Sequence, residues 1–374
     1  MSTLATIGLA TGSAISALFA LGYVYSHFII KNKNTEDRDL NGKNIIVTGG
    51  TSGIGREILQ ILYLKGAVVT FTGRNHKNAR EIVAEVRRSL TELVKSTKGR
   101  KAQFASERLE DLQGGTWDQK DHHFTSKYLH FRAVDQSKLP QVKAFTDWFN
   151  DHFESLDTLY CNAGLLCLTE RKTQEGFDFA MGVTHFGHYL MVHELLELLK
   201  DTLNSRIVTT SSKRHRGKKD EVEIDLQDFD WKKSHTKYDG FHRYGCSKLA
   251  NVLFTVGLAH LFARKGWKIK AVSLHPGVVR SGFLREAKGA MKALISIFSL
   301  LFWSTREGSQ TSLKCILSPW NKLVNGEYYA RCQITPMNSR AHREAYWKKF
   351  WNVSKQEMKH KGGFECPKFE EFDL

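Results

Sequence analysis

The sequence predicts a doubly wound α/β fold, a parallel sheet with helices on both faces, preceded by an N-terminal transmembrane helix. Three observations carry that expectation. Short apolar strands alternate with helical patterns from residue 43 to residue 274, the rhythm of βαβ units. A glycine-rich turn, Thr48-Gly49-Gly50-Thr51-Ser52-Gly53-Ile54-Gly55, joins the first strand to the first helix. The run from Leu4 to Ile30 holds no Asp, Glu, Lys or Arg, and about 20 apolar residues suffice to span a bilayer.

The N-terminal run reads as an uncleaved anchor over residues 1–30. A cleaved signal peptide wants a positive segment at its start, but no Lys or Arg precedes Lys31. A mitochondrial presequence wants arginines, and there are none here either. Basic residues (Lys31, Lys33, Arg38) lie only on the C-terminal flank, so the positive-inside bias keeps the bulk of the chain on the cytoplasmic side. The expected location is the endoplasmic reticulum membrane, with a mitochondrial membrane as the alternative.

Residues 31–41 form a polar linker, and 42–350 form the main domain. Within it, Lys43–Val47 and Ala67–Thr72 read as strands flanking a helix over Arg56–Lys65. Further strands are expected at Tyr128–Val134, Leu156–Cys161, Arg206–Thr210 and Lys268–Leu274, with helices around 79–96, 139–153, 174–200 and 244–265. Residues 97–127 and 213–240 look like insertions, the first polar and unpatterned. Ala290–Trp303 is apolar but too short to cross a membrane, and reads as a buried or interfacial helix. Residues 351–374 read as a C-terminal tail.

Composition narrows the chemistry. At 374 residues, 41% hydrophobic and 25% charged, the chain is globular rather than disordered. An excess of 55 Lys and Arg over 39 Asp and Glu, formally +16, suits an anionic environment such as lipid headgroups or a phosphorylated cofactor. No nucleic-acid module or aromatic stacking pattern accompanies that charge. The six cysteines show neither C-x-x-C nor ligand-like spacing, so free thiols are expected and no metal site. His185 and His188, three residues apart, lack an acidic or thiol partner and read as helix packing.

The glycine turn presents backbone N–H groups and the positive end of a helix dipole, which suits a pyrophosphate. The second strand ends in Gly73-Arg74-Asn75. A carboxylate there would hold a ribose 2′-hydroxyl and repel a 2′-phosphate; a small residue followed by Arg favours the phosphate, hence NADP(H).

These motifs, taken together, resemble the short-chain dehydrogenase/reductase family, whose domain is a Rossmann fold. Thr48 to Gly55 match its T-G-x-x-x-G-x-G turn, so Thr48, Gly49, Thr51, Ser52, Gly53, Ile54 and Gly55 are expected to bind the cofactor. Asp135, Asn162-Ala163-Gly164, Ser211-Ser212, Tyr244-x-x-x-Lys248, Pro276-Gly277 and Ser281 follow in the family's order. The resemblance implies that Asp135 lies near the adenine and that Pro276, Gly277 and Ser281 meet the nicotinamide end. It runs from about Leu40 to Tyr329 and is nearest the retinol dehydrogenase-like group, on His275-Pro276-Gly277-Val278-Val279 and Glu307-Gly308-Ser309-Gln310-Thr311-Ser312.

The side chains support the same chemistry. Tyr244 and Lys248, four apart on a helix, point the same way. The ammonium is expected to lower the phenol's pKa, letting Tyr244 exchange a proton with a substrate oxygen. Ser212, preferred over Ser211, would hydrogen-bond that oxygen, and the resemblance gives Lys248 the nicotinamide ribose as well. One departure stands out: Thr184 occupies a position where the family usually has Asn, which helps hold a water beside the lysine. The basic run Lys213–Lys219 follows the serine, where it would either draw an acidic substrate or lipid or remain a solvated loop.

Two functions compete. One is a membrane-bound oxidoreductase acting on a lipophilic alcohol or carbonyl such as a retinoid, steroid or fatty aldehyde. The other is a weak or inactive structural subunit of a membrane complex, motivated by Thr184, the insertions and the basic surface. The complete Ser212, Tyr244 and Lys248 set favours the enzyme. Expected partners are the small substrate and membrane lipid, with a second copy or complex subunits left open.

Overall fold

The structure is a computed structural model that describes residues 33–229, 238–280 and 302–373. The N-terminal apolar run, Ser281 and most of 290–303 lie outside the described residues.

The central sheet has the strand order β10-β9-β8-β7-β6-β1-β2-β5-β4-β3. β1 (Asn44–Val47), β2 (Val68–Gly73), β5 (Leu129–Ala133), β6 (Thr158–Cys161), β7 (Ser205–Thr210), β8 (Ile269–His275) and β9 (Tyr328–Ala330) are parallel. β3 (Thr116–Trp117), β4 (Phe124–Thr125) and β10 (Gln333–Ile334) add antiparallel edges. Strands buried on both faces need apolar residues at successive positions rather than in alternation. Ile45, Ile46 and Val47 in β1 and Leu159 and Tyr160 in β6 are accordingly at most 1% exposed.

Helices cover both faces. α1 (Gly53–Leu64) buries Ile58, Leu59, Leu62 and Tyr63, a one-sided helical stripe. With α2 (His76–Ser96), α3 (Arg100–Gly114) and α9 (Thr305–Leu317) it encloses one hydrophobic core. The opposite core lies under α4 (Leu139–His152), α6 (Gly187–Glu194), α7 (Leu196–Asp201), α8 (Gly240–Lys265) and α10 (Glu344–Glu357). The short α5 (Phe179–Met181) runs into α6 through a π-turn over Gly182–Phe186, which contains Thr184. α8 is the one described helix long and apolar enough to cross a bilayer, but 89% of its most apolar stretch is buried inside the protein. It is the core helix of the fold. Asp239 caps its start, accepting from the Phe241 and His242 amides.

The expected doubly wound sheet is therefore present, with three corrections. Residues 97–127 are ordered: α3 packs on α2, and β3–β4 extend the sheet from β5. Arg108, buried at 3% exposure, donates to the Ala67 carbonyl at 2.9 Å and lies 3.8 Å from the Tyr128 ring. The boundary at 350 falls inside α10, and the expected tail is core. Trp351, Phe369 and Phe372 pack there, and Trp351 donates to the Glu370 carbonyl at 2.9 Å. A side chain at Gly257 of α8 would meet the Trp351 ring at 2.4 Å, so the glycine sets how closely α8 and α10 approach. Last, β8 does not end the sheet, because β9 and β10 follow it.

Candidate active site

The order of the sheet reverses at β1, between β2 and β6. In open α/β sheets the ligand crevice lies at the carboxyl ends of the strands beside such a switch. Here a cleft of about 510 Å³ opens there, lined by residues following β1, β2, β5, β6, β7 and β8.

One end is built by the glycine turn. Gly49 has φ +65°, and a Cβ on Gly55 would lie 2.5 Å from the Gly49 carbonyl oxygen and 2.7 Å from Asn162 Nδ2. The turn therefore closes only with glycine at 55. Ser52, the N-cap of α1, makes no side-chain cap. Thr48 is buried and ties the turn to the neighbouring strand: its Oγ1 accepts from the Asn162 and Ala163 amides at 2.8 and 2.9 Å. His188 Nδ1 donates to the Thr184 carbonyl at 2.9 Å, which leaves Nε2 to accept from the Thr48 hydroxyl at 2.8 Å. Burial pushes that ring down to about 4. His185 packs against Phe254 and Phe350, so both histidines serve packing and the turn.

Thr51, Ser52, Gly53, Ile54, Arg74 and Asp135 all line the same cleft. Arg74 is exposed at its rim, beside Asn75, which caps α2. Asp135 accepts from the Ser137 hydroxyl at 2.8 Å and amide at 3.0 Å. Asn162, Ala163, Gly164, Pro276 and Gly277 complete the lining. This cradle fits a dinucleotide, because its closest approaches are glycine and backbone. Ser281 lies outside the described residues.

At the other end stand Ser212, Tyr244 and Lys248. Ser211 and Ser212 divide their work as adjacent residues must, pointing opposite ways. Ser211 Oγ donates to the Lys248 carbonyl at 2.7 Å and is buried in structure. Ser212 hydrogen-bonds the Tyr244 phenol and accepts from the Arg214 amide at 3.2 Å. Lys248 Nζ donates to the Thr210 carbonyl at 3.0 Å, as does Asn251 Nδ2.

The electrostatics differ from expectation. Burial pushes the Tyr244 phenol up, opposed by its bond to Ser212, and pushes the Lys248 ammonium down to about 7. Desolvation thus outweighs the expected effect of the ammonium, which stands 5.7 Å from the Tyr244 ring centre. A Cβ on Gly164 would lie 2.9 Å from Lys248 Nζ and 3.4 Å from Thr184 Oγ1. The two atoms therefore flank one small space, and Thr184 Oγ1 is buried with no hydrogen-bond partner.

Sequence reasoning missed the cleft's apolar side, formed by Leu165, Leu166, Phe179, Val183, Val278 and Val279. His275-Pro276-Gly277-Val278-Val279 enters the sequence reading only through the likeness to the retinol dehydrogenase-like group, which says nothing of an apolar wall. It also missed the Thr210 carbonyl, since a backbone group leaves no mark in a sequence.

Comparison with known proteins fits this site. The profile of the short chain dehydrogenase family matches residues 43–98 and 96–220. Retinol dehydrogenase 12 of Homo sapiens is 31% identical over 351 residues, covering 94% of this chain and 97% of its own. Retinol dehydrogenase 14 of Homo sapiens is 32% identical over 318 residues, covering 84% and 86%. Among solved structures, a short chain dehydrogenase from Burkholderia cenocepacia J2315 in complex with NADP is 20% identical with a TM-score of 0.53, covering 78% of this chain and 96% of its own. The chain belongs to the short-chain dehydrogenase/reductase family, oxidoreductases that use nicotinamide cofactors. Within it, the chain is retinol dehydrogenase-like.

Proposed function

We propose that the protein is a membrane-anchored, NADP(H)-dependent oxidoreductase that interconverts a lipophilic carbonyl, of the retinoid, steroid or fatty aldehyde class, with its alcohol. The observation that carries this is one cleft lined by Ser212, Tyr244 and Lys248, by Arg74, and by apolar residues such as Leu166 and Val278. The complete triad favours catalysis over a purely structural role.

Thr48 to Gly55, Arg74, Asp135 and Asn162 to Gly164 would hold the dinucleotide, with Lys248, Pro276 and Gly277 at its nicotinamide end. Hydride is what that cofactor would supply or accept when bound. The chain's own residues do the rest. Ser212 Oγ donates to the substrate oxygen and fixes its position. Tyr244 transfers the proton to that oxygen in reduction and withdraws it in oxidation. Lys248, set by the Thr210 carbonyl, stabilises the phenolate left behind. Leu165, Leu166 and Val278 exclude water from an apolar substrate.

Purified protein should oxidise NADPH with at least one member of a panel of retinals, ketosteroids and fatty aldehydes. Inactivity on the entire panel would leave the structural-subunit reading in its place. Arg74 pairs with a 2′-phosphate in this proposal, so Arg74→Asp should reverse the preference for NADPH over NADH, read as relative kcat/KM. Equal use of both cofactors before and after the change would refute the assignment. Residues 1–30 supply the anchor: their deletion should release the protein from membranes, and a truncated protein that resists carbonate extraction would place the attachment elsewhere.

A further inference from the structure

Ser212 belongs to a loop whose backbone is fixed from behind by His215 and Asn338. His215 is fully buried, and its Nδ1 lies 2.6 Å from the Ser212 carbonyl oxygen, while its own amide donates to that same oxygen at 3.0 Å. Its Nε2 receives the Asn338 amide at 3.1 Å. A carbonyl can only accept and an amide N–H can only donate, so the ring is held as the neutral Nδ1–H form. Burial acts in the same direction, pushing the ring down to about 4. Asn338, also fully buried, closes the clamp: its Nδ2 donates to the His215 and Val222 carbonyls, both at 3.0 Å. Its Oδ1 accepts from the Arg340 amide at 3.0 Å. The Tyr328 ring of β9 meets His215 edge-on at 4.6 Å and blocks sideways movement.

A surface-loop histidine has no need of so complete a set of partners. Two of these bonds end on the Ser212 carbonyl, and the others tie His215 to Asn338 and Asn338 to Val222 and Arg340. We propose that His215 is a positioning residue: through Asn338 it locks the Ser212 peptide so that the hydroxyl faces Tyr244 and the substrate oxygen. This rests on the reading of Ser212 given above. The contact joins the segment after the catalytic serine to a segment 123 residues later, and so gives residues 338–340 a part in catalysis without contact with substrate.

The test uses the full-length protein with NADPH and the best carbonyl of the panel, comparing His215→Leu, His215→Asn, Ser212→Ala and the Ser212→Ala/His215→Leu double variant. His215→Leu should lose about 10- to 100-fold in kcat, the scale on which misplacing a reacting group acts, with the dissociation constant for NADPH unchanged. His215→Asn keeps an N–H near the Nδ1 position and should recover part of the rate. The double variant should be no slower than Ser212→Ala, because His215 acts only through Ser212.

A His215→Leu enzyme at full rate, beside a Ser212→Ala enzyme that has collapsed, would overturn the clamp and spare the active-site reading. A double variant far slower than Ser212→Ala would overturn it too, showing that His215 supports the fold generally. If His215→Leu does not fold, the decision passes to His215→Asn with unchanged NADPH affinity: a kcat lowered less than in Ser212→Ala supports the clamp, and an unaltered kcat overturns it. Full activity in Ser212→Ala, or a wild type inactive on the panel, would overturn both readings together.

Discussion

Tyr244→Phe is expected to lower turnover by about 10²–10⁴-fold, the contribution of proton transfer by a placed side chain. The substitution removes one hydroxyl from a ring that is 9% exposed and anchored in α8, so packing should survive. NADPH affinity should be retained, because the glycine turn and Arg74 lie at the far end of the cleft. Loss of rate with binding intact, measured by steady-state kinetics beside fluorescence titration of NADPH, assigns the proton to Tyr244. An active wild type whose Tyr244→Phe variant keeps its full rate would end the mechanism, whatever the substrate.

Lys248→Met should abolish turnover and yet make the protein more stable. The Lys248 ammonium sits at 3% exposure with its pKa pushed from 10.5 down to about 7 by burial. The sign follows from proton counts. Between pH 7 and about 10 the unfolded chain holds the lysine proton and the folded chain does not, so stability rises with pH across that window. At and below pH 7 the wild type bears the full penalty, and methionine removes it. The gain should be roughly 2–4 kcal/mol near neutral pH, after the lost bond to Thr210 is subtracted. It should shrink as pH approaches 10. Added NADPH should raise Tm strongly in the wild type and weakly in the variant, since Lys248 is assigned to the ribose as well. A variant less stable than wild type at pH 7 would show that the ammonium is better compensated than its surroundings indicate.

What could be read in the sequence was what neighbouring residues encode. Ile45-Ile46-Val47 announces a buried strand, the glycines that follow announce the turn, and Tyr244 with Lys248 shares one helix face. The missed features depend on distant partners. α3 buries only Ala105, Arg108 and Leu112, and one of those is a guanidinium, so no apolar stripe marks the helix. The polar residues between Trp351 and Phe372 hide the burial of both. β9 and β10 have three and two residues, below the length at which alternation registers. Ser212 could be chosen over Ser211 only by matching motifs, whereas the structure separates them by where each hydroxyl points. His215 was read as one member of a basic run, because its partner Asn338 is invisible from its own stretch of chain.

The two sheet margins bear on how this protein meets others. Seven parallel strands, long enough at their centre to template another chain, are flanked by antiparallel strands of two residues each: β4 and then β3 (Thr116–Trp117) on one side, β10 (Gln333–Ile334) on the other. Edges that short offer an incoming strand almost no ladder to extend, which is how natural sheets avoid joining edge to edge and aggregating. Self-association by continuing the sheet into a second copy is therefore disfavoured. Among the described residues, the sheet leaves no long open edge on which a second copy could add a strand.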